Sequence, residues 1–345
     1  MLAHEFGHFL FAKLSKVKVE EFAFGFPPRL FSFQKGETRY SFNIVPLGGY
    51  VKIQGEEGEN ASDPQSFSAQ KFWTKMVIIA AGVGFNFILA YLLFTSGFIM
   101  GTPVPLDDSD PNPSAEVRIT DVQKGSPAEA AGLLPGDRIL SLAGEDGEGL
   151  GVFKIKEVQD FIFAHKGEKI SINFGRAGEV IARKAMLRTD MKEGEGALGI
   201  AMVRIGIEKS GIFAAFKKGF DSTVDLTAAT ARALWGFFGK IFSGEGSFES
   251  VSGPVGIVNV VGDFSRFGFV FLVQLTALLS INLGLINVIP FPGLDGGRML
   301  VILLEEIKGS PFHWKFTRRV HAAGFVLLIM LMILVTYHDI LRLNS

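Results

Sequence analysis

From Val77 to Met100 the chain carries no charged residue, and a helix over this run, rising 1.5 Å per residue, crosses the ~30 Å hydrocarbon core of a bilayer. This limits the fold more than any other feature, because in lipid every backbone N–H and C=O must be satisfied by the protein itself. Trp73 and Lys75 stand where interface anchors are expected. Two further runs read as spans. Phe267 to Ile289 is interrupted by Gln274, Ser280, Asn282 and Asn287 and closed by Pro290, so its polar groups are expected to face protein or a cavity. Ala322 to Thr336 is somewhat short, with Arg318, Arg319 and Arg342 placed to snorkel. The opening segment, Met1 to Leu14, is apolar yet only about 21 Å long as a helix. It is expected to be either a half-span or the remainder of a span that begins about ten residues upstream, and the second is preferred because a helix start needs supporting turns. The charged n-region and cleavage site of a signal peptide are missing.

Composition agrees with a mixed membrane and soluble chain: 48% of residues are hydrophobic, and 34 basic residues nearly balance 35 acidic ones. There is no cysteine, which excludes disulfides and thiolate ligands and leaves His, Asp or Glu to hold any metal. Nothing in the pattern points to nucleic acid.

Basic residues crowd the segment from Lys13 to Lys75 and the segment from Arg298 to Arg319, which places both on the cytoplasmic side. The long intervening stretch opens acidic with Asp107, Asp108 and Asp110 and is expected outside. It begins as a Pro- and Asp-rich linker, residues 102–114. A compact domain follows over 115–205: a strand over Val117–Val122, a one-turn helix N-capped by Ser126 and ended by Gly132, a turn at Pro135-Gly136, a helix from Lys154 to His165, and a strand over Ile170–Phe174. Its GSPA, AGL and PGD elements resemble a bacterial-type PDZ domain, which implies a groove that takes a peptide or protein tail as an added strand. Candidate groove residues lie on the strand around Leu198–Met202 and on the helix from Lys154. Ile212 to Phe242 is amphipathic and is expected to rest on the outer membrane surface. His165 and His313 read as surface or capping residues, and His321 and His338 as interface residues.

Between the first two spans, Leu30–Phe33 and Tyr40–Val45 alternate apolar and polar about a turn at Gln34–Thr38, a β-hairpin pattern, and Pro46–Ile53 reads as another strand. With Phe22, Phe24, Phe26, Phe31, Phe33, Tyr40 and Phe42, this hairpin is expected to dip toward the bilayer. Its edge, near Gly48 and Gly49, is a candidate substrate contact.

The chemistry concentrates in His4-Glu5-Phe6-Gly7-His8. Residues four apart share a helical face, so both imidazoles can reach one ion while Glu5 takes a proton from an attacking water. Such a pattern also arises by chance in amphipathic helices, but here Phe6, Phe9, Leu10 and Phe11 surround it with apolar residues, where idle polar groups are costly. A third ligand is offered by Asp295, in the run Asn287 to Arg298 at the end of the third span, where Pro290 and Pro292 break the helix and Gly296-Gly297 permits close approach.

HEFGH, PLGGYVKI, AAGVGFN, SGPVGI, SINLGLINVIPFPGLDGGR and TYHDILRL occur in the order seen in the site-2 protease family, and the chain resembles its bacterial RseP-type intramembrane zinc proteases along essentially its whole length. The resemblance implies one zinc ion on His4, His8 and Asp295, Glu5 as general base, and Asn287 as a residue that engages the substrate helix. It also implies hydrolysis within the transmembrane segments of single-span proteins, anti-sigma factors among them, in the inner (plasma) membrane. Val83 departs from the family's proline, and a single PDZ-like domain is present where some members have two. The expected fold class is thus a multi-pass α-helical membrane protein of about four spans, the first truncated, with a membrane-associated β-hairpin and an extracytoplasmic α+β PDZ-like domain. Its divisions are 1–14, 15–72, 73–101, 102–114, 115–205, 206–265, 266–299, 300–320 (a cytoplasmic loop) and 321–345. A catalytically inactive, peptide-binding membrane protein is the alternative; a metal transporter fits poorly, for lack of an internal repeat.

Overall fold

The computed structural model describes residues 1–59, 61–112, 114–145, 147, 149–176, 178–190, 196–243 and 253–344. They form two compact units: Met1–Thr95 with Lys217–Ile257 and Thr276–Ser345, and Ser96–Phe216 with Val258–Leu275.

The first unit opens with helix α1, Leu2–Leu14, whose buried face is His4, Gly7, His8 and Ala12. The spacing of three to four residues puts these on one stripe. Strands β1 (Val19–Lys35) and β2 (Thr38–Ile53) pair as a hairpin around Gly36, whose φ of 62° suits glycine. The outer rungs Phe31–Phe42 and Phe33–Tyr40 match the pattern expected from alternation. Beyond them, the sequence suggested a separate strand over Pro46–Ile53, whereas this segment continues β2. Phe22 has both Val51 and Tyr40 as partners, and Phe24 both Gly49 and Phe42, so the first half of β1 lies between the two halves of β2. Alternation shows which residues share a face but not which distant segment completes the ladder. Leu30, Phe31, Phe33, Phe42 and Ile44 are all exposed, an apolar surface of the kind that meets lipid or protein.

Ala12, Val17, Val19, Ile53, Phe67, Ile78, Ile79 and Ile302 form one buried cluster. It packs α1 and the base of the hairpin against helices α2 (Phe72–Met100) and, at Ile302, α8 (Asp295–Lys308). Among the described residues, three helices are long and apolar enough to cross a membrane: α2, α7 (Phe269–Val288) and the Trp314–Leu341 part of α9 (Trp314–Asn344). The last is longer than the short run read from apolarity, because Arg318, Arg319 and Arg342 lie within the helix. As expected of polar residues in a span, Ser280 on α7 turns to protein, donating to the Asn86 carbonyl on α2 at 2.8 Å.

The loop expected over 300–320 is mostly helix. Pro290 and Pro292 end α7, and α8 begins at Asp295 and runs to Lys308, with Gly309 closing it in the left-handed region. Polar residues on one side of an amphipathic helix had read as loop charge. His321 accepts from Gly293 N–H at 3.2 Å, holding the turn before Asp295. Two of the quoted motifs meet here. Buried Asp339 of TYHD, on α9, accepts from Gly253 and Gly256 N–H at 3.2 and 2.8 Å in GPVG, at the start of α6 (Pro254–Phe267). Ser252, the first residue of SGPVGI, lies outside the described residues. Ile212–Phe242 is a single helix, α5, as the periodicity predicts.

In the second unit, strands β3 (Thr102–Pro105), β4 (Glu116–Val122), β5 (Arg138–Ala143), β6 (Gly149–Gly151), β7 (Lys169–Arg176), β8 (Glu179–Met186) and β9 (Ile200–Glu208) make one sheet. Its order is β3-β9-β4-β5-β7-β8, with β6 on β5. Val117, Ile119, Leu133, Ile139, Leu142, Ile172, Phe174 and Leu198 fill its core with Val158 and Ile162 of α4 (Ile155–Ala164). Ser126 caps the one-turn helix α3 (Pro127–Ala130) as expected.

The segment 102–114 is not a linker. Thr102–Pro105 pairs with Ile205–Glu208, and its two prolines are tolerated because β3 is an edge strand. Asp108 then accepts from Ile155 and Lys156 N–H at 3.0 and 2.8 Å, capping α4. Buried Arg204 ties the segment down through the Asp107 and Asn112 carbonyls. Composition rich in Pro and Asp describes an edge strand and a cap as well as it describes a linker.

Asp137, only 2% exposed, takes both Nε and a terminal nitrogen of Arg176 at 2.7 Å and the Leu134 N–H at 2.8 Å. Asp137→Ala is expected to destabilise this unit by about 2 kcal/mol, the arginine being partly exposed. Faster hydrogen exchange over residues 116–205 measures it; unchanged protection would refute it.

Candidate metal centre

Helix α1 carries His4 and His8 one turn apart, and α8 begins at Asp295, so two imidazoles and a carboxylate are set by the ends of two helices. His4 Nε2 and His8 Nε2 lie 3.1 Å apart, and they stand 3.0 and 3.3 Å from Asp295 Oδ2. All three residues are buried. A tetrahedral ion with bonds near 2.0–2.1 Å requires donors separated by about 3.3 Å. Asp295 Oδ2 has no hydrogen-bond partner among the described residues, which is what a ligating oxygen needs. Two imidazole nitrogens, one carboxylate oxygen and no sulfur suit zinc and leave a fourth position open. The structure thus brings together the three ligands expected from the sequence.

Glycines make the convergence possible. A Cβ on Gly82 of α2 would strike His8 Nε2 and His4 Cε1, and one on Gly7 would strike the Ala81 carbonyl. The α1 and α2 backbones therefore approach closely at this level, as small residues allow between membrane helices. On α8, a Cβ at Gly296 would meet the Val288 and Ile289 carbonyls, and one at Gly297 the Phe291 carbonyl. This is the close approach expected of the two glycines after Asp295. Gly7 and Gly82 were not foreseen. Their sequence signal was glycine within apolar helices, inside the HEFGH and AAGVGFN motifs.

The outer nitrogens are held as well. His8 Nδ1 is 2.9 Å from the Ile78 carbonyl, and His4 Nδ1 is 3.3 Å from the side-chain amide of Asn86. Glu5 is not among the converging donors. Its Oε2 accepts from Val51 N–H at 3.2 Å, which ties the carboxylate to the end of β2. Gly49 and Gly48 lie beside the start of α1: a Cβ on Gly49 would be 3.7 Å from Leu2, and one on Gly48 3.0 Å from the Met1 sulfur. Asn287 is half-buried near the end of α7, and its side chain makes no hydrogen bond among the described residues. Arg298, one turn beyond Asp295, pairs with Glu56, and both line a cavity of about 810 Å³ with Glu57, Lys75, Arg318 and His321.

The model of peptidase family M50 matches residues 1–331. A protein of Clostridium perfringens named as a candidate zinc metalloprotease is 33% identical over 99% of this chain and 95% of its own length. A similarly named protein of Fusobacterium nucleatum is 34% identical over 99% and 96%. One from Staphylococcus aureus is 28% identical over 98% and 95%. Among solved structures, the PDZ domain of an SdrC-like protein from Listeria monocytogenes is 25% identical, covering 25% of this chain and 85% of that domain, with a TM-score of 0.21.

Substituting His4, His8 or Asp295 with Ala is expected to remove bound zinc, and Gly82→Ala to weaken it by about 100-fold or more through its overlap with both imidazoles. Metal content of the purified chain checks both; full zinc occupancy in Gly82→Ala would contradict the packing.

Proposed function

This chain belongs to peptidase family M50, the site-2 protease family, and is a zinc metalloprotease; on that footing we propose that it is an intramembrane endopeptidase cutting the transmembrane segments of single-span membrane proteins. The observation that carries the proposal is the convergence of His4 Nε2, His8 Nε2 and Asp295 Oδ2 at a buried point beside the apolar helix α2.

His4, His8 and Asp295 would hold one zinc ion, which when bound would supply Lewis acidity to the scissile carbonyl and the attacking water. Glu5 is the general base. It takes the proton from the attacking water and returns it to the leaving amine. A transmembrane helix hides its peptide carbonyls in internal hydrogen bonds, so it must be unwound first. The Gly48–Val51 end of β2 receives the unwound segment as an added strand, and Asn287, whose amide is free of other bonds among the described residues, competes for the substrate's backbone. Strand addition beside Val51 also brings the substrate next to the carboxylate of Glu5. The cavity lined by Glu56, Lys75 and Arg298 gives water a polar approach near α8.

The PDZ-like unit takes a peptide or protein tail on the edge of β9, where β3 and Leu106 pair with residues 204–208 and residues 200–203 are left beside β4. With basic residues concentrated on the segments before α2 and after α7, the proposed placement is the inner membrane, metal centre toward the cytoplasm and PDZ-like unit outside. Anti-sigma factors are one class of single-span substrate that fits.

Glu5→Gln is expected to slow cleavage of a model single-span substrate by about 10²–10⁴-fold while zinc content stays that of the parent. Equal rates in the two proteins, or no cleavage by a zinc-loaded parent, would sink the proposal.

A further inference from the structure

A ligating imidazole binds through one ring nitrogen and carries its proton on the other, so each ligand needs a hydrogen-bond acceptor on its far side. Here both Nε2 atoms face Asp295 Oδ2, which leaves both Nδ1 atoms pointing outward. His8 has its acceptor in the Ile78 carbonyl. His4 meets Asn86, whose side chain is fully buried.

The amide nitrogen of Asn86 lies 3.3 Å from His4 Nδ1, and the amide oxygen, also buried, has no hydrogen-bond partner among the described residues. With His4 ligating through Nε2, that pairing would set an N–H against an N–H while an acceptor goes unused beside it. A half-turn of the amide exchanges oxygen and nitrogen without changing its shape. It places Oδ1 where it accepts from His4 Nδ1–H.

The setting holds this group in place. Ile78, Gly82 and Asn86 follow one another at four-residue spacing on α2 and so form a single stripe behind the two histidines. The first accepts from His8, the second leaves room for both rings, and the third faces His4. The backbone carbonyl of Asn86 receives Ser280 Oγ from α7, which fixes α2 at this level.

We infer that Asn86 is a positioning residue that accepts the Nδ1 hydrogen bond of His4 and thereby holds the tautomer presenting Nε2 to zinc. The inference rests on the metal centre proposed above. Its role is in the metal site and not in the proton transfers assigned to Glu5.

The test is zinc affinity of the full chain in detergent, by competition with a chromophoric chelator, for the parent, Asn86→Leu and Asn86→Asp. Leucine keeps the volume without an acceptor; aspartate keeps the shape with acceptors only. Asn86→Leu is expected to bind zinc about 10–100-fold more weakly, and Asn86→Asp to bind as the parent does. With cobalt in place of zinc, the visible absorption bands should change in Asn86→Leu and be restored in Asn86→Asp. If the leucine variant does not fold, Asn86→Ala takes its place in the same comparison. Parent-like affinity without an acceptor overturns the inference, as does an aspartate variant as weak as the leucine one, which would make Asn86 a donor or a filler. A parent that binds no zinc brings down the metal centre itself, a result distinct from either.

Discussion

Three buried polar groups, held within 3.3 Å of one another by two helix ends, set the terms for everything around them. Two imidazoles and a carboxylate in apolar surroundings are costly unless they share an ion and each has a partner on its far side. Meeting that condition requires α1 and α2 to approach nearly backbone to backbone, which Gly7 and Gly82 permit. It also requires α8 to start abruptly after α7, which Pro290, Pro292 and the two glycines after Asp295 permit. The buried cluster of Ala12, Val19, Ile53, Ile78 and Ile302 then fixes these parts against one another without polar contacts.

The hairpin also bears on the histidine-carrying helix. Because the first half of β1 lies between the two halves of β2, the strand that reaches the metal centre is braced from behind by Phe22 and Phe24. Its end, at Gly49 to Val51, touches both α1 and the Glu5 carboxylate. The end of β2 and the Glu5 carboxylate are therefore joined through a single backbone N–H. The apolar outer face with Leu30, Phe31 and Phe33 is left exposed.

The PDZ-like unit carries its own reinforcement. Prolines and aspartates that would loosen most segments here form an edge strand, a helix cap and a carbonyl cluster around Arg204. The chain leading into the unit from α2 is thus part of its sheet, and the same strand bounds the open portion of the β9 edge.

Much of this was legible in the residue order. The spacing of His4 and His8 determined a shared helical face, the uncharged run Val77–Met100 a membrane-length helix, and the alternation around Gly36 a hairpin. These are consequences of local periodicity, to which each residue contributes whatever its distant neighbours do. Even Asp295 could be picked out, since prolines and glycines beside a carboxylate mark backbone prepared for close approach. Pairing at a distance was not legible: the doubled β1–β2 ladder, the strand at Thr102–Pro105, the helix α8 and the joining of Asp339 to Gly253 each depend on which segment folds back against which. So does the stripe of Ile78, Gly82 and Asn86, which reads as ordinary apolar helix until α1 lies across it. The sequence by itself determined which side chains are capable of holding zinc, because ligand chemistry belongs to the residue. Only the tertiary structure decided that they converge and what holds their outer nitrogens, because distance and hydrogen-bond geometry belong to the packing.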